Sequence, residues 1–335
     1  MSSWYMKPNS EADIVTSTRI RLARNIKGIP FPSGMTDEQK KELKEKIKAV
    51  ITESNTPFSK KLKYIDMANV PEIEIKAMVE RHTISPEFVI NPQGKAIILS
   101  EDESISIMIG EEDHIRIQVI LGGLCLEEAY DIASNIDDMP HSALHFAFDS
   151  NLGYLTECPT NLGTGLRASL MLHLPALEGS GEIRSLSDTV NKIGFTVRGI
   201  YGEGSKSLAS LYQVSNQVTL GLSEKNAIEN LKIIATQLIE KEKALRESFE
   251  KLKLEDTVYR ALGTLKYSRV LSSNEMMNLI SRIKLGISMG ILSTDILPMK
   301  LFVENQPYML MKKHGEISPQ ERDSYRASDI REAFN

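Results

Sequence analysis

The sequence has few cysteines and no long apolar segment. Cys125 and Cys158 are the only cysteines in 335 residues, which excludes a disulfide framework and a cysteine-rich zinc site. No run approaches the roughly 18 consecutive apolar residues of a membrane-spanning helix. The first residues also lack the basic stretch followed by an apolar stretch that marks an export signal. We therefore expect a soluble, cytoplasmic protein with no metal site and no membrane partner.

Positive charge is also not in excess. The 45 Asp and Glu residues outnumber the 40 Lys and Arg residues, and the net charge of −5 argues against nucleic acid as a direct partner. The segment YGEGSKS does not have the register of a P-loop, because Ser205 separates Gly204 from Lys206. With 41% hydrophobic residues, the chain nevertheless has the composition of a folded protein and the length for two domains.

Most of the chain has the pattern of strands. Residues 15–24, VTSTRIRLAR, alternate so that Arg19 and Arg21 share one face of a strand while Ile20 and Leu22 share the other. Further strands are predicted for PEFVI, KAIILS, SISIMIG, HIRIQVIL, ALHFAF, GFTVRG and LYQVSNQVTLGL. These short strands, separated by polar turns, predict an α+β fold with a largely antiparallel sheet flanked by helices.

Helix signals occur between and after the strands. Thr36 and Gln39 form a capping box ahead of a lysine-rich helix, and Ser223 begins a long amphipathic helix. After about residue 253 the strand alternation ends and the spacing of apolar residues becomes helical. We therefore predict one domain over residues 1–252 and a small all-helical domain over residues 253–335.

Arginines stand beside strand ends and glycine turns throughout the first domain. A single arginine of this kind is most often a solvated surface residue. Several guanidinium groups that converge in a cleft would instead bind a polyphosphate, because the planar fork makes paired bonds to phosphate oxygens and keeps its charge. Periodicity alone does not establish that they converge. The candidates are Arg19, Arg21, Arg116, Arg167 and Arg198.

Acidic and thiol groups form a second set of candidates. The run 111–113, Glu-Glu-Asp, lies between two predicted strands and is typical of a solvated hairpin turn. Glu203 lies in a glycine-flanked loop where a side chain can approach a ligand closely. Cys158 precedes Pro159 and a turn-rich loop, so it is either an accessible, reactive thiol or a buried turn residue. Cys125 lies in an apolar run and is predicted to be an inert core thiol.

Together these segments resemble the phosphagen (guanidino) kinase family. STRIRLAR, GEEDHIRI, CPTNLGTGLRAS and VRGIYGEG occur in the family's order and approximate spacing. The sequence is most similar to the bacterial protein-arginine kinase branch, because it lacks the helical N-terminal domain of the small-molecule enzymes and has a C-terminal helical extension. That extension contains RDSYRA, residues 322–327, which resembles the branch's RDxxRA motif.

The resemblance implies that ATP and Mg²⁺ are the cofactors and that the metal contacts mainly ATP oxygens and water. The arginines would form a cage around the phosphates, and His82 would lie on the adenine side. The residues implied to bind ATP are Ser17, Thr18, Arg19, Ile20, Arg21, His82, Arg116, Arg167, Ala168, Ser169, Leu170, Met171, Arg198, Gly199, Ile200, Tyr201 and Gly202.

The resemblance also implies a catalytic set and a regulatory set. Glu112 and Glu203 would hold the substrate guanidinium group, with Cys158 beside it. Gly110 departs from the Asn expected before the acidic run and could loosen the turn that aims Glu112. A second, phosphoarginine-binding site would consist of Arg322, Asp323, Arg326 and Ala327. For that short motif, a solvated helix end is the alternative.

The function implied by the resemblance is ATP-dependent phosphorylation of arginine side chains in proteins. One alternative is a kinase for free arginine or another small guanidino metabolite, and another is an adaptor that binds phosphoarginine without catalysis. The family also implies a zinc-binding activator protein, a heat-shock repressor and Clp ATPase/protease as partners, with homo-oligomerisation as a further option.

Overall fold

The computed structural model describes residues 3–7, 9–52, 61–199 and 207–334. Its strands are β1 Val15–Arg24, β2 Leu62–Asp66, β3 Ala96–Ser100, β4 Ile105–Ile109, β5 Ile115–Gly122, β6 Phe148–Asp149, β7 Gly153–Tyr154, β8 Leu166–His173, β9 Phe195–Gly199 and β10 Leu211–Asn216. Its α-helices are α1 Asp37–Thr52, α2 Glu72–Glu80, α3 Leu126–Leu144, α4 Pro175–Ser180, α5 Ile183–Asn191, α6 Glu224–Glu247, α7 Lys251–Tyr267, α8 Ser273–Ser288, α9 Pro298–Glu304, α10 Pro307–His314 and α11 Pro319–Ala333.

Eight of the strands form one sheet in the order β2-β3-β4-β5-β1-β8-β10-β9. Every neighbouring pair runs antiparallel. Strand β1 is central, because its ten residues pair with β5 on one side and with β8 on the other. Residues from distant parts of the chain therefore meet on the two faces of β1.

One face of the sheet is apolar and carries the main core. Ile20 and Leu22 of β1 join Ile117 of β5 and Leu170 of β8 in a single buried cluster. Helices α1, α3 and α6 cover this cluster with their own apolar faces. Burial of apolar surface against the helices is the main force that stabilises this layer.

The opposite face is covered only in part. Helix α2 packs over the β2–β4 edge through a second cluster that includes Met78, Ile97 and Met108. The helices after residue 250 form a third cluster, which also takes in Leu211 of the sheet. Between these two coverings, the sheet face remains open as a cleft.

A buried polar network ties the helical C-terminal region to the sheet. His173 at the end of β8 bonds through Nε2 to Ser281 Oγ on α8, 2.8 Å away. Arg246 of α6 donates to Ser288 Oγ on α8 at 2.8 Å and to the His173 carbonyl at 3.2 Å. Lys284 Nζ donates to the Ala12 carbonyl at 2.7 Å. Because buried polar groups are costly to leave unpaired, these bonds hold α8 in one position on the sheet.

Several local predictions match the structure. The strand predicted for residues 15–24 is β1. The Thr36 and Gln39 capping box is present, with backbone-to-side-chain bonds of 2.8 and 3.3 Å. Ser223 caps α6 by accepting a bond from the Asn226 amide.

The strand predicted for PEFVI was wrong. Pro86 has helical backbone angles and Ser85 Oγ accepts a bond from the Phe88 amide, so Glu87–Val89 is a 3₁₀ turn that buries Phe88. ALHFAF is also not one strand, because α3 continues to Leu144. The edge strand β2, by contrast, was not predicted. Among the described residues, no helix is both long enough and apolar enough to cross a membrane.

Candidate active site

The sheet register brings the predicted arginines together. Arg21 of β1 lies directly opposite Arg167 of β8 and opposite Gln118 of β5. Arg116 is two residues from Gln118 on β5 and Arg19 is two residues from Arg21, so alternation places all of these side chains on the open face. Arg198 lies opposite Gln213 two strands further on. Residues separated by up to 179 positions in the sequence therefore share one cleft.

Two adjoining cavities occupy the cleft. The larger has a volume of about 520 Å³, and all five arginines line it. The smaller has a volume of about 170 Å³ and is lined by Glu112 and Cys158 together with Arg21, Arg116 and Arg167. Because these three arginines line both cavities, they form the boundary between a cationic chamber and a chamber that contains a carboxylate and a thiol.

The arginine cluster is electrostatically strained. Burial, together with the charges of Arg19, Arg167 and Arg116, lowers the pKa of Arg21 well below its ordinary value. Burial also lowers the pKa of Arg19 to about 10. Within the described part of the chain, Arg21 Nε and Arg167 Nε are buried without a hydrogen-bond partner. A polyanion would supply both the missing acceptors and the opposing charge.

The acidic hairpin between β4 and β5 holds Arg116. Glu111 Oε2 lies 2.5 Å from one guanidinium nitrogen of Arg116, and Glu112 Oε2 lies 2.9 Å from the other. The Glu111 side chain is 4% exposed and also accepts a hydrogen bond from Ser85 Oγ. Glu112 is 38% exposed and lines the smaller cavity. Glu111 thus serves as the buried anchor, and Glu112 is the acid that a substrate can reach.

The third acid of the run, Asp113, fixes the loop that carries Cys158. Asp113 is fully buried, and its Oδ1 accepts bonds from Asn25 Nδ2 at 2.6 Å and from the Glu157 amide at 2.9 Å. Asn25 Oδ1 in turn accepts a bond from the His114 amide. Cys158 Sγ lies 3.0 Å from Thr160 Oγ1. The hairpin and the cysteine loop are therefore held as one unit beside the arginines.

Gly110, which stands where the resemblance leads us to expect Asn, forms part of a closed turn in this hairpin. Its φ of +75° lies in the left-handed region, which both glycine and asparagine adopt more readily than other residues. Its amide bonds to the His114 carbonyl at 3.1 Å and closes the turn. The replacement of the expected Asn by Gly is thus compatible with the same turn conformation.

The other residues assigned to ATP divide according to the face of the sheet. Ser17, Met171 and Gly199 line the larger cavity, as does His82. Ser169 lies on the same face of β8 but is 3% exposed and contacts the Arg19 carbonyl. Four others among the described residues have buried side chains on the opposite face and do not reach the cavity. They are Thr18, Ile20, Ala168 and Leu170.

His82 is a neutral residue in this cleft. Burial and the nearby charge of Arg19 lower its pKa to about 3. Its ring centroid is 6.2 Å from that of Trp4, and its carbonyl accepts a bond from Gln118 Nε2 at 2.8 Å. The neutral ring therefore adds no further positive charge to the arginine cluster.

Four predicted site residues lie outside the described residues. They are Ile200, Tyr201, Gly202 and Glu203.

RDSYRA lies on α11, outside the cleft. Arg326 is 1% exposed and donates to the carbonyls of Asn305 at 2.9 Å and Leu271 at 2.7 Å, and to Asp323 Oδ1 at 2.5 Å. Ala327 is fully buried in the helical core. Arg322 and Asp323 remain partly exposed. The motif thus consists of a buried arginine that joins three helical segments and an accessible acid beside it.

Sequence reasoning missed two contributions to the site. The acidic run alone does not distinguish Glu111 from its neighbours, although its position five residues before Arg116 on a predicted hairpin is a usable signal. The larger cavity is also lined by residues from α8 and α9 and their surroundings, for which the sequence offered no signal. These are Met277, Met299, Phe302, Val303 and Gln306.

Comparison with known families identifies this arrangement. A family model described as ATP:guanido phosphotransferase, C-terminal catalytic domain, matches residues 42–245. The chain belongs to this family. A second model, described as protein-arginine kinase McsB C-terminal domain, matches residues 251–335. The resemblance noted in the sequence is confirmed, and the chain is a phosphotransferase.

Relatives align along nearly the whole chain. The protein-arginine kinase of Caldanaerobacter subterraneus subsp. tengcongensis is 45% identical, covering 97% of this chain and 98% of that protein. The protein-arginine kinase of Clostridium kluyveri is 46% identical, with 99% and 98% covered.

The fold is shared with solved kinases. The duplicated taurocyamine kinase from Schistosoma mansoni with bound transition state analog components has a TM-score of 0.64 and 26% identity. The match covers 78% of this chain and 38% of that duplicated one. Lombricine kinase has a TM-score of 0.62 at 24% identity, with 72% of this chain and 69% of that chain covered. The predicted α+β fold, an antiparallel sheet flanked by helices and followed by a helical region, is confirmed.

Proposed function

We propose that this chain transfers the γ-phosphoryl group of ATP to arginine side chains in proteins. The observation that carries the proposal is that the same three arginines line both cavities and form a wall between them. ATP phosphates in the larger cavity would contact Arg21, Arg116 and Arg167 from one side. A guanidinium group in the smaller cavity, next to Glu112 and Cys158, would approach the same arginines from the other side. The two reactants would therefore meet at this wall.

The residues fit the chemical requirements of such a transfer. A substrate guanidinium is a poor nucleophile, because it is protonated at neutral pH and its lone pairs are delocalised. Glu112 would orient one guanidinium nitrogen toward the γ-phosphorus and attract its positive charge. A nitrogen–phosphorus bond forms as the bond to the β–γ bridging oxygen breaks. ADP leaves, and the nitrogen proton passes to a carboxylate, for which the proposed candidates are Glu112 and Glu203.

The arginines supply most of the catalysis in this proposal. Their fixed positive charges neutralise the phosphate oxygens without reorganisation during the reaction. The observation that fits the arginines to a polyphosphate is that Arg21 Nε and Arg167 Nε have no hydrogen-bond partner among the described residues. Mg²⁺, held by ATP oxygens and water, would neutralise further phosphate charge.

An arginine within a polypeptide fits the site better than a free guanidino metabolite. Glu112 and Cys158 also line a wide surface depression of about 480 Å³, which continues past Pro32 and Ile90. Ile90 is 71% exposed. The smaller cavity thus opens onto a surface that can accommodate the polypeptide on either side of a target arginine.

A phosphoarginine site in the helical region is part of the proposal. Asp323 would pair with the guanidinium part of phosphoarginine, and Arg322 would bind its phosphate. Arg326 is already bonded to two backbone carbonyls, so its main role here would be to hold Asp323 in place.

The family resemblance supports further proposals about the setting. We propose a cytoplasmic location, a zinc-binding activator protein, a heat-shock repressor and Clp ATPase/protease as partners, and self-association as an option.

The decisive experiment is to incubate the protein with Mg-ATP and an unfolded protein substrate, then map acid-labile phosphate by mass spectrometry. We expect phosphate on arginine, and a Glu112→Gln variant as control should give almost none. Free arginine supplied at the same concentration should be a poor acceptor. Phosphorylation of free arginine alone would contradict the protein substrate, and phosphate on serine or threonine alone would contradict the reaction.

A further inference from the structure

The larger cavity has two chemically different walls. The sheet contributes the arginines, whereas the helical C-terminal region contributes a mainly apolar wall. Five residues after position 270 belong to this wall: Met277, Met299, Phe302, Val303 and Gln306. Arg21, Arg116 and Arg167 border the smaller cavity, but none of these five residues does. The apolar wall therefore lies away from the boundary where phosphoryl transfer is proposed.

A nucleoside triphosphate matches this division. Its phosphates need the cationic wall, and its base has apolar faces with a polar edge. If the γ-phosphate lies at the shared arginines, the base extends toward the helical wall. A base in such an environment is recognised by the few polar groups that reach its edge.

Gln306 is the uncharged polar residue of this helical wall, and the orientation of its amide is determined. Its Nε2 donates to the Phe302 carbonyl at 2.7 Å and contacts Met277 Sδ at 3.4 Å. A carbonyl accepts only from the amide nitrogen, so the two ends of the amide are not interchangeable. Among the described residues, none donates to Gln306 Oε1. One hydrogen-bond acceptor is therefore left on a residue that lines the cavity.

Two other polar groups that line the cavity, Trp4 Nε1 and the Glu80 carboxylate, are already engaged. Trp4 Nε1 donates to the Arg81 carbonyl at 3.1 Å. Both oxygens of Glu80 accept bonds from the backbone amides of Tyr308 and Met309, at 2.8 to 3.1 Å. These bonds anchor the first turn of α10 directly after Gln306. Glu80 thus acts as a positioning residue that keeps Gln306 beside the cavity.

We propose that Gln306 Oε1 accepts a hydrogen bond from the 6-amino group of adenine, so that the helical C-terminal region selects the base. The inference rests on the proposed function, in that the cavity holds a nucleoside triphosphate. A 6-oxo purine presents an acceptor at the same position and would face Oε1 without a proton between them. Such a mismatch places two acceptors against each other with no donor between them, which lowers affinity.

The test compares three nucleotides on two proteins. ATP, its 6-deamino analogue purine riboside triphosphate, and inosine triphosphate each displace a fluorescent ATP analogue from the wild-type protein and from Gln306→Met. Methionine keeps the length of the side chain and removes the acceptor. On the wild type, loss of the amino group should weaken binding about tenfold, equal to about 1.4 kcal/mol, and inosine triphosphate should bind more weakly still. On Gln306→Met, all three should bind within about twofold of one another.

The controls separate the possible failures. Gln320→Met makes the same change on the exposed start of α11, and it should retain the wild-type preference. If Gln306→Met retains the full tenfold preference for ATP, the proposal is overturned. If that variant does not fold, the wild-type comparison still decides, because equal affinity for ATP and its deamino analogue also overturns the proposal. Displacement requires no phosphoryl transfer. A protein that shows this base preference but phosphorylates no arginine would refute the proposed reaction alone.

Discussion

Arg21→Met should make the nucleotide-free protein more stable while weakening its response to ATP. Burial and the charges of three other arginines lower the pKa of Arg21, and its buried Nε has no hydrogen-bond partner in the described residues. Removing a buried unsatisfied donor relieves about 1–3 kcal/mol. Methionine replaces most of the apolar stem, so the loss of packing is small.

These energies can be converted into a melting shift. At about 2.1 cal/mol/K per residue, a chain of 335 residues has an unfolding entropy of about 0.7 kcal/mol/K. A gain of about 1–3 kcal/mol therefore raises the melting temperature by about 1.4–4 °C. When ATP is bound, Arg21→Met should instead be less stable than the wild type, because the variant lacks a charge-assisted bond to phosphate that contributes about 1.5–3 kcal/mol. Its loss weakens ATP binding by about 10- to 150-fold.

The assay is thermal melting with and without Mg-ATP, together with calorimetric titration of the nucleotide. Arg184→Met, at an exposed position on α5, is the matched control and should change neither quantity. A variant at position 21 that melts lower without nucleotide, yet retains the full ATP-induced shift, would refute the view that the cluster is strained until a polyphosphate binds.

Four further expectations follow from the same geometry. Glu112→Gln should lower the rate of phosphoryl transfer by at least about 100-fold. ATP affinity, measured by titration, should change little because Glu111 still holds Arg116. Near-normal turnover would contradict the role of Glu112. Cys158 should react with iodoacetamide faster than Cys125, which is buried, and substrate should slow the reaction; equal rates in the folded protein would contradict its place in the site. Asp323→Asn should weaken phosphoarginine binding by calorimetry and leave ATP binding unchanged, whereas equal phosphoarginine affinity would remove the second site. His82 has a folded-state pKa of about 3 against an ordinary 6.5, so the unfolded chain takes up its proton first. Its contribution to stability is present above about pH 6.5 and is lost toward pH 3. A His82→Phe variant should show a smaller fall in melting temperature between pH 7 and pH 4, and an identical fall would contradict the low pKa.

Local sequence patterns predicted a large part of the fold. Alternation alone located β1 and divided its residues between the core and the cleft, because successive side chains of a strand point to opposite faces. The capping residues Thr36 and Ser223 marked where α1 and α6 begin, because a side-chain oxygen there satisfies amides that the helix leaves unpaired. Where such signals conflicted, the prediction failed: apolar residues at 86–90 suggested a strand, but the Ser85 side chain and Pro86 favour a turn.

The candidate site could be predicted only as residue types. Motif order identified Arg21, Arg167 and Glu112 as members of one site, but nothing local showed that Arg21 faces Arg167 directly. That juxtaposition results from pairing β1 with a strand about 145 positions away. The sequence also could not separate Glu112 from its neighbours. Only the packed hairpin shows that Glu111 is the buried anchor of Arg116 and that Asp113 holds the cysteine loop.

The sequence by itself thus determined the identity of the chain's parts: a sheet with a charged face, an arginine set, an acidic hairpin and a helical region. Tertiary structure alone decided which of these parts meet. Gln306 lies almost 300 residues from Ser17, yet both line one cavity. The physical reason is that secondary structure follows short-range preferences of the backbone. A binding cavity instead depends on burial of distant apolar surfaces, which no local pattern records.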